Sequence, residues 1–306
     1  MQQPHVRAFF ESDTNTVTYV VSDPKTRDAI VIDPVLDYDA FASQTSTKSV
    51  SSVIAFIETE GLNLRAVLET HAHADHLSAA QYLRQRYSVP VAIGSEIGVV
   101  QKTFKKVFNL PDSVPTDGSQ FDVLLFDGQD HSFGSVEVKS LATPGHTPAC
   151  MSYLIGDAVF TGDALFMEDY GTGRADFPGG SALSLYRSVA KTLYSLDETT
   201  RVFVGHDYMP DGRPVRFEST IKRQRDSNVQ INKTVSEAEF IDSRTRRDDT
   251  LRAPRLIYQS IQVNVFGGKL PDPDDNGVRY LRVPLNMRNA TNAVGGPSDD
   301  GVETFE

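Results

Sequence analysis

The sequence predicts an α/β chain in which two packed sheets carry helices on their outer faces. Three observations predict it. Strand and helix patterns alternate over the first third of the chain. The middle holds four closely spaced strands, then a helix and one more strand. The two halves therefore follow a similar order of elements, although no repeat is visible in the residues themselves. With 306 residues, 39% of them hydrophobic and 23% charged, the chain can bury a sizeable core.

The elements follow from local pattern. Val6–Phe10, Thr16–Val21 and Ala29–Ile32 are β-branched and aromatic runs that read as strands, with Asp23-Pro24 turning between the second and third. Val50, Val53, Ile54 and Ile57 recur at helical spacing, and Gly61 stands where a helix should stop. Leu64–Leu68 reads as a buried strand, Leu77–Tyr87 as a helix, Val89–Ile93 as a strand and 95–108 as a helix. Phe121–Phe126, Val136–Leu141, Met151–Ile155 and Ala158–Thr161 read as strands, the last two joined through the hairpin signal Gly156-Asp157. Leu183–Leu196 then reads as a helix and Arg201–Val204 as a strand. Beyond Tyr208 the composition shifts to charge. Arg244-Thr245-Arg246-Arg247-Asp248-Asp249 reads as a solvated helix face. Ile257, Ile261 and Val265 indicate one more helix.

One segment carries chemistry. His71, His73, Asp75 and His76 place three imidazoles and one carboxylate within six residues, directly after a buried strand. Imidazole and carboxylate suit zinc, iron and similar cations. Side chains alternate along extended chain, so His71 and His73 can reach one side, and a turn at Asp75 returns His76 toward them. His146 follows a strand in Thr143-Pro144-Gly145-His146, Asp163 follows one in Phe160-Thr161-Gly162-Asp163, and His206-Asp207 follows Val202–Val204. Singly, a histidine in a turn is a surface group and an aspartate after Thr-Gly is a helix cap. Together they set five histidines and several aspartates at strand ends, where sites are commonly built.

This order of residues, His71-x-His73-x-Asp75-His76 and then His146, Asp163 and His206, resembles the metallo-β-lactamase superfamily. The resemblance implies an αββα sandwich of two mixed sheets flanked by helices, with metal in a cleft between the exposed sheet edges. Two branches stand close: glyoxalase II, a dinuclear hydrolase of glutathione thioesters, and the persulfide dioxygenases (sulfur dioxygenases), which use one ferrous iron. The chain is more similar to the second over Thr70–Ala80, Thr143–Thr147 and Phe160–Leu165. It is most similar in Gly173-Arg174-Ala175-Asp176-Phe177, where the dioxygenases carry Arg-x-Asp-Phe. The resemblance spans residues 5–225. It implies a catalytic domain over 1–225 and a C-terminal extension over 226–306 packed on it, with a loosely ordered end at Thr291–Glu306.

Carried over by position, the implied iron ligands are His71, His146 and Asp163, holding one Fe(II) per chain. Two histidines and a carboxylate leave open positions on the metal. Glutathione persulfide and O2 would be the substrates, sulfite and glutathione the products. His73, Asp75, His76 and His206 would complete a second metal site in the hydrolases; in the dioxygenases they are expected to hydrogen-bond around the first. Arg174 and Tyr208 fall where the glyoxalase branch has glutathione-binding residues, their plain alternatives being an ion pair with Asp176 and ordinary packing. Arg213 and Arg216 are lesser candidates, and Asp207 is expected to hold a neighbouring loop. The ligands alone also accept two zinc ions, so glyoxalase-II-like hydrolysis stays open. The lack of an evident glutathione-gripping basic helix near the C-terminus counts against it. A lactonase and a non-catalytic sulfur-sensing or binding protein are more distant alternatives.

Composition narrows the rest. A net charge of -11 argues against nucleic acid. No run approaches the roughly 20 apolar residues that cross a bilayer, and no basic-then-apolar leader opens the chain. The single cysteine, Cys150, excludes an internal disulfide framework and fits a reducing compartment. A cytoplasmic protein is the expectation, with Cys150 as a small buried hydrophobe. The resemblance implies a homodimer as the possible assembly.

Overall fold

The computed structural model describes residues 3–285; the loose end expected at Thr291–Glu306 lies outside them. One sheet runs β1 (His5–Glu11), β2 (Thr16–Ser22), β3 (Asp28–Ile32), β6 (Asn63–Leu68), β8 (Val91–Gly94) and β9 (Val123–Leu125) in that order. Its first two pairings are antiparallel and the rest parallel. The second runs β10 (Asp130–Phe133), β11 (Val136–Ala142), β12 (Met151–Ile155), β13 (Ala158–Phe160), β14 (Arg201–Phe203) and β15 (Glu218–Thr220). Only β13–β14 is parallel there. A small third sheet joins β4 (Val35–Asp39) to β5 (Gln44–Ser46) and β7 (Leu77–Ser78). The helices are α1 (Lys48–Thr59), α2 (Ala80–Tyr87), α3 (Ile97–Val107), α4 (Ala182–Arg187), α5 (Ile221–Ser227), α6 (Glu237–Asp248) and α7 (Ile257–Asn264).

Strand alternation sorts the apolar residues into three layers. Tyr19, Ile30, Ile32 and Leu68 point inward and meet Tyr153, Phe160 and Phe203 of the other sheet. Their neighbours Val20, Val31 and Val67 point outward, against Val53 and Ile57 of α1, Leu83 of α2 and Phe104 of α3. On the far side Val159 and Val202 meet Leu185, Ile221 and Phe240. Strands covered on both faces read as continuous apolar runs, which is why these were visible in sequence. Burying each such large side chain is worth about 1.5–3 kcal/mol. Tyr19 keeps its hydroxyl satisfied by donating to the Val204 carbonyl at 2.6 Å, tying the two sheets.

The structure departs from the sequence expectation at edges and seams. β4, β5, β10 and β15 were not foreseen: they are short, largely polar strands whose partners are backbone groups, so little hydrophobic period marks them. Leu77 and Ser78 were expected to begin a helix, but pair with Leu36 and Val35. The helix expected over Leu183–Leu196 is regular only to Arg187; a wider π turn follows over Ser188–Thr192, then a 3-10 turn. Ser188 opens that wide turn and donates to the Pro144 carbonyl at 2.6 Å, beside the loop of His146.

The charged run is corrected too. Helix α6 opens with a capping box between Ser236 and Glu239, but it is not solvated all round. Phe240, Arg244 and Asp248 stand four residues apart on a buried face, and Arg244 pairs with Asp248 at 2.6 Å. No helix among the described residues is long and apolar enough to cross a membrane.

Candidate metal centre

The site sits where strands of both sheets end. His71 and its neighbours follow β6, His146 follows β11, Asp163 follows β13 and His206 follows β14. Backbone bonds stitch these ends together: Met151 N–H donates to the Thr70 carbonyl at 2.9 Å, and Val17 N–H to that of Gly205 at 2.9 Å. Gly162 permits a close approach between two of these ends. Its φ is +47°, and a Cβ there would lie 2.5 Å from the Thr70 hydroxyl.

Each histidine of the centre is oriented from behind. Thr70 donates its hydroxyl to Asp33 Oδ2 at 2.7 Å, so the same oxygen accepts from His71 Nδ1, 3.0 Å away. His146 Nδ1 donates to the Arg174 carbonyl at 2.8 Å and His206 Nδ1 to that of Asn15 at 3.2 Å. With Nδ1 carrying the proton, Nε2 of all three rings keeps its lone pair. Burial, and the neighbouring His73 and His146, hold His71 well below the usual imidazole range, so that lone pair is available at neutral pH.

These lone pairs converge. One donor atom each from His71, His146 and Asp163 lies within 4.8 Å of the others, and all three residues are buried. Asp163 presents Oδ2 3.5 Å from His146 Nε2 and Oδ1 3.3 Å from His206 Nε2. His71 Nε2 and Asp163 Oδ1 are buried without any hydrogen-bond partner. Unsatisfied buried polar atoms are costly, and neutral imidazole with carboxylate is a donor set for a divalent cation. The residues fit a bound metal.

The remaining residues of the cluster divide. His73, Asp75 and His76 form a second group, in which the two histidines are buried and Asp75 is half-buried, with His76 Nδ1 2.9 Å from Asp75 Oδ2 and His206 Nε2 3.7 Å from it. His73 is also drawn the other way. Its Nε2 lies 3.0 Å from Asp33 and 3.3 Å from Glu69. Although burial opposes it, these two carboxylates raise His73 well above the ordinary range.

Above the metal residues lies a cavity of ≈ 280 Å³. Phe166, Tyr170, Phe177 and Tyr208 supply its aromatic wall. Tyr208 stacks on Tyr170 at 4.6 Å between ring centres. Burial of the hydroxyl, with Asp163 and Asp75 nearby, raises its phenol, which stays protonated and able to donate. Arg174 also lines the cavity, but Asp176 holds it through two hydrogen bonds of 2.5 and 2.6 Å. Arg213 bridges Asp169 and Asp207, and Arg216 pairs with Glu168; neither lines the cavity. Asp207 accepts from Arg213 and from Arg216 N–H, anchoring the loop after His206. Burial pushes the Cys150 thiol up to about 12, as for a packed small hydrophobe.

Several contributors escaped the sequence reading. Asp33 ends a strand as Asp163 does, a signal that was present but weak. Asn264 of α7 donates to the carbonyls of His73 at 2.8 Å and His76 at 2.7 Å, and accepts from Ser78 N–H at 2.8 Å. Nothing local marks it. Arg244, Arg247 and Arg255 reach the cavity from α6 and the loop beyond. The three-residue step from Arg244 to Arg247 was the available hint, since such residues share a helix face.

Comparison with known proteins identifies the family of this fold. The model of the metallo-β-lactamase superfamily matches residues 12–206. A β-lactamase hydrolase-like protein of Xylella fastidiosa is 46% identical over 94% of this chain, which spans only 66% of that relative, under two thirds of its length. The mitochondrial persulfide dioxygenase ETHE1 of Bos taurus is 31% identical over 86% of this chain and 88% of its own. The crystal structure of ETHE1 from Myxococcus xanthus superposes with a TM-score of 0.69 at 31% identity, covering 87% of this chain and all of that one. The chain belongs to the metallo-β-lactamase superfamily, within which it is a homologue of the persulfide dioxygenases.

Proposed function

We propose that this chain is a glutathione persulfide dioxygenase using one Fe(II). The observation that carries the reading is the buried trio His71, His146 and Asp163, with His73 held toward Asp33 and Glu69 instead. Those three residues would hold the iron. A ferrous ion bound there supplies open coordination positions and one-electron chemistry. The net reaction converts the persulfide, O2 and water to glutathione and sulfurous acid, which ionises to sulfite. The outer sulfur loses four electrons to one O2, and the inner sulfur leaves as the thiol.

The chain's own groups prepare the site. The Nδ1 anchors fix which nitrogen each histidine offers. The aromatic wall limits water, and Tyr208 offers a protonated hydroxyl to the substrate. His73, Asp75, His76 and His206 would orient ligands and substrate through hydrogen bonds. Arg174 serves mainly to hold the Gly173–Phe177 turn, whose Arg174 carbonyl positions His146.

Iron-loaded protein is expected to consume O2 and release sulfite with glutathione persulfide. Oxygen-electrode traces without uptake would end the proposal. A second reading, dinuclear hydrolysis of glutathione thioesters, is favoured by the second cluster of metal-ligand residue types, His73, Asp75 and His76. Elemental analysis separates them: two metal ions per chain and turnover of S-lactoylglutathione would select the hydrolase.

A further inference from the structure

Two loops carry tyrosines of the cavity's aromatic wall. Asp163 is followed by residues 166–171, which hold Phe166 and Tyr170, and His206 by residues 207–214, which hold Tyr208. The strand ends beneath them are joined, Gly205 N–H donating to the Gly162 carbonyl at 3.2 Å. Beyond that bond, among the described residues, no backbone hydrogen bond links the two loops. The second loop is also unfavourable by itself: Met209 and Asp211 have φ of +47° and +57°, a region costly for residues with a Cβ. Such a backbone persists only where its surroundings over-determine it.

One side chain reaches both loops. Arg213 donates Nε and Nη2 to the two oxygens of Asp169, the second at 2.9 Å. It donates Nη1 and Nη2 to the two oxygens of Asp207, each at 2.7 Å. Asp169 directly precedes Tyr170, and Asp207 directly precedes Tyr208. The Asp207 carboxylate is fully buried and the guanidinium is largely so, so removing one strands the other. Arg216 adds a tie to Glu168 and Asp169, but its side chain does not reach Asp207. One residue on from the two carboxylates, the Tyr208 ring stacks on Tyr170 at 4.6 Å and on His206 at 5.6 Å, with Phe166 edge-on at 5.8 Å.

We propose that Arg213 is the positioning residue of this wall: by gripping Asp169 and Asp207 at once, it fixes the Tyr170–Tyr208 stack and thereby the place of the Tyr208 hydroxyl in the cavity. Arg213 touches no substrate and acts through Tyr208. The planar fork of a guanidinium can hold two carboxylates in one geometry, which the point charge of lysine does not reproduce. The kinetic consequence rests on the persulfide reading of the site; the placement of the ring does not.

A double-mutant cycle tests it on iron-loaded full-length protein, with Arg213→Ala, Tyr208→Phe and the pair assayed by O2 uptake with glutathione persulfide. Each single variant is expected to lower kcat/KM about 10-fold. The pair should also lose about 10-fold rather than about 100-fold, because Arg213 acts through the hydroxyl already removed. Iron content should hold steady, with R213K between wild type and R213A. Additive losses, or R213A with the kcat/KM of wild type, overturn the proposal. Fluorine NMR of protein labelled with 3-fluorotyrosine reads the wall without turnover. The Tyr208 resonance, identified by its loss in Tyr208→Phe, should move in R213A toward that of exposed Tyr280, while those of Tyr19 and Tyr153 in the core stay in place. If wild type consumes no O2, the dioxygenase reading fails on its own. A moved Tyr208 resonance then still supports the clamp, and an unmoved one overturns it. Should R213A misfold, Asp169→Asn, altered at a half-buried carboxylate, decides the matter by the same cycle and the same resonance.

Discussion

The segment from His71 to His76 and the stretch from α6 to α7 meet at the same cavity and use their polar groups in opposite ways. The first leaves polar atoms unspent, with His71 Nε2 and His76 Nε2 buried and unpartnered. The second spends many of its own on holding the candidate site. Asn264 binds two carbonyls and one N–H of the ligand loop, and Asp248 accepts from Ala175 N–H at 2.9 Å. A site whose ligands must stay unsatisfied until metal arrives needs its backbone fixed by someone else. The ligand loop is thus held twice: from its own sheet by Asp33 and Thr70, and from the far end of the chain by Asn264.

That comparison can be broken in stages. Asp163→Ala should have the largest effect, because the one carboxylate of the trio also faces His206. Bound iron and activity are expected to vanish together; iron retained in stoichiometric amount, read by elemental analysis, would remove Asp163 from the ligand set. Asn264→Leu comes next. It strands two carbonyls and an N–H, costing about 3 kcal/mol in denaturant unfolding and weakening metal binding about 10–100-fold in chelator competition. Unaltered metal affinity would mean that α7 merely packs against the loop. Thr70→Val should be the mildest. It keeps shape but removes the acceptor of His71 Nδ1, and about a 10-fold loss of metal affinity is expected. A Thr70→Val loss exceeding that of Asn264→Leu would reverse the ranking and make the sheet side the dominant support.

The same contrast explains what could be read from the chain. The candidate metal residues stood out because ligand chemistry restricts residue type and strand ends restrict spacing. His71, His73, Asp75 and His76 stand together in sequence, and His146, Asp163 and His206 each follow an apolar run. The two-sheet core was legible because β2 and β3, and β6 over its last three residues, are buried on both faces. The edge strands were not, since backbone pairing leaves little trace in side chains. Arg244 and Asp248 were misread because a charged helix face looks solvated until a partner element buries it. Arg174 lines the cavity, but its donors are largely taken by Asp176 and the Arg252 carbonyl.

By itself the sequence determined the layered fold and the residue types offered to a metal, because both follow from local period and from the chemistry of single residues. Tertiary structure decided which nitrogen each histidine presents and which arginines, among the described residues, meet no carboxylate. It also decided that a helix end near residue 264 holds a loop near residue 73. Those outcomes depend on contacts between positions up to 191 residues apart, and no local pattern encodes a contact whose two halves are specified independently.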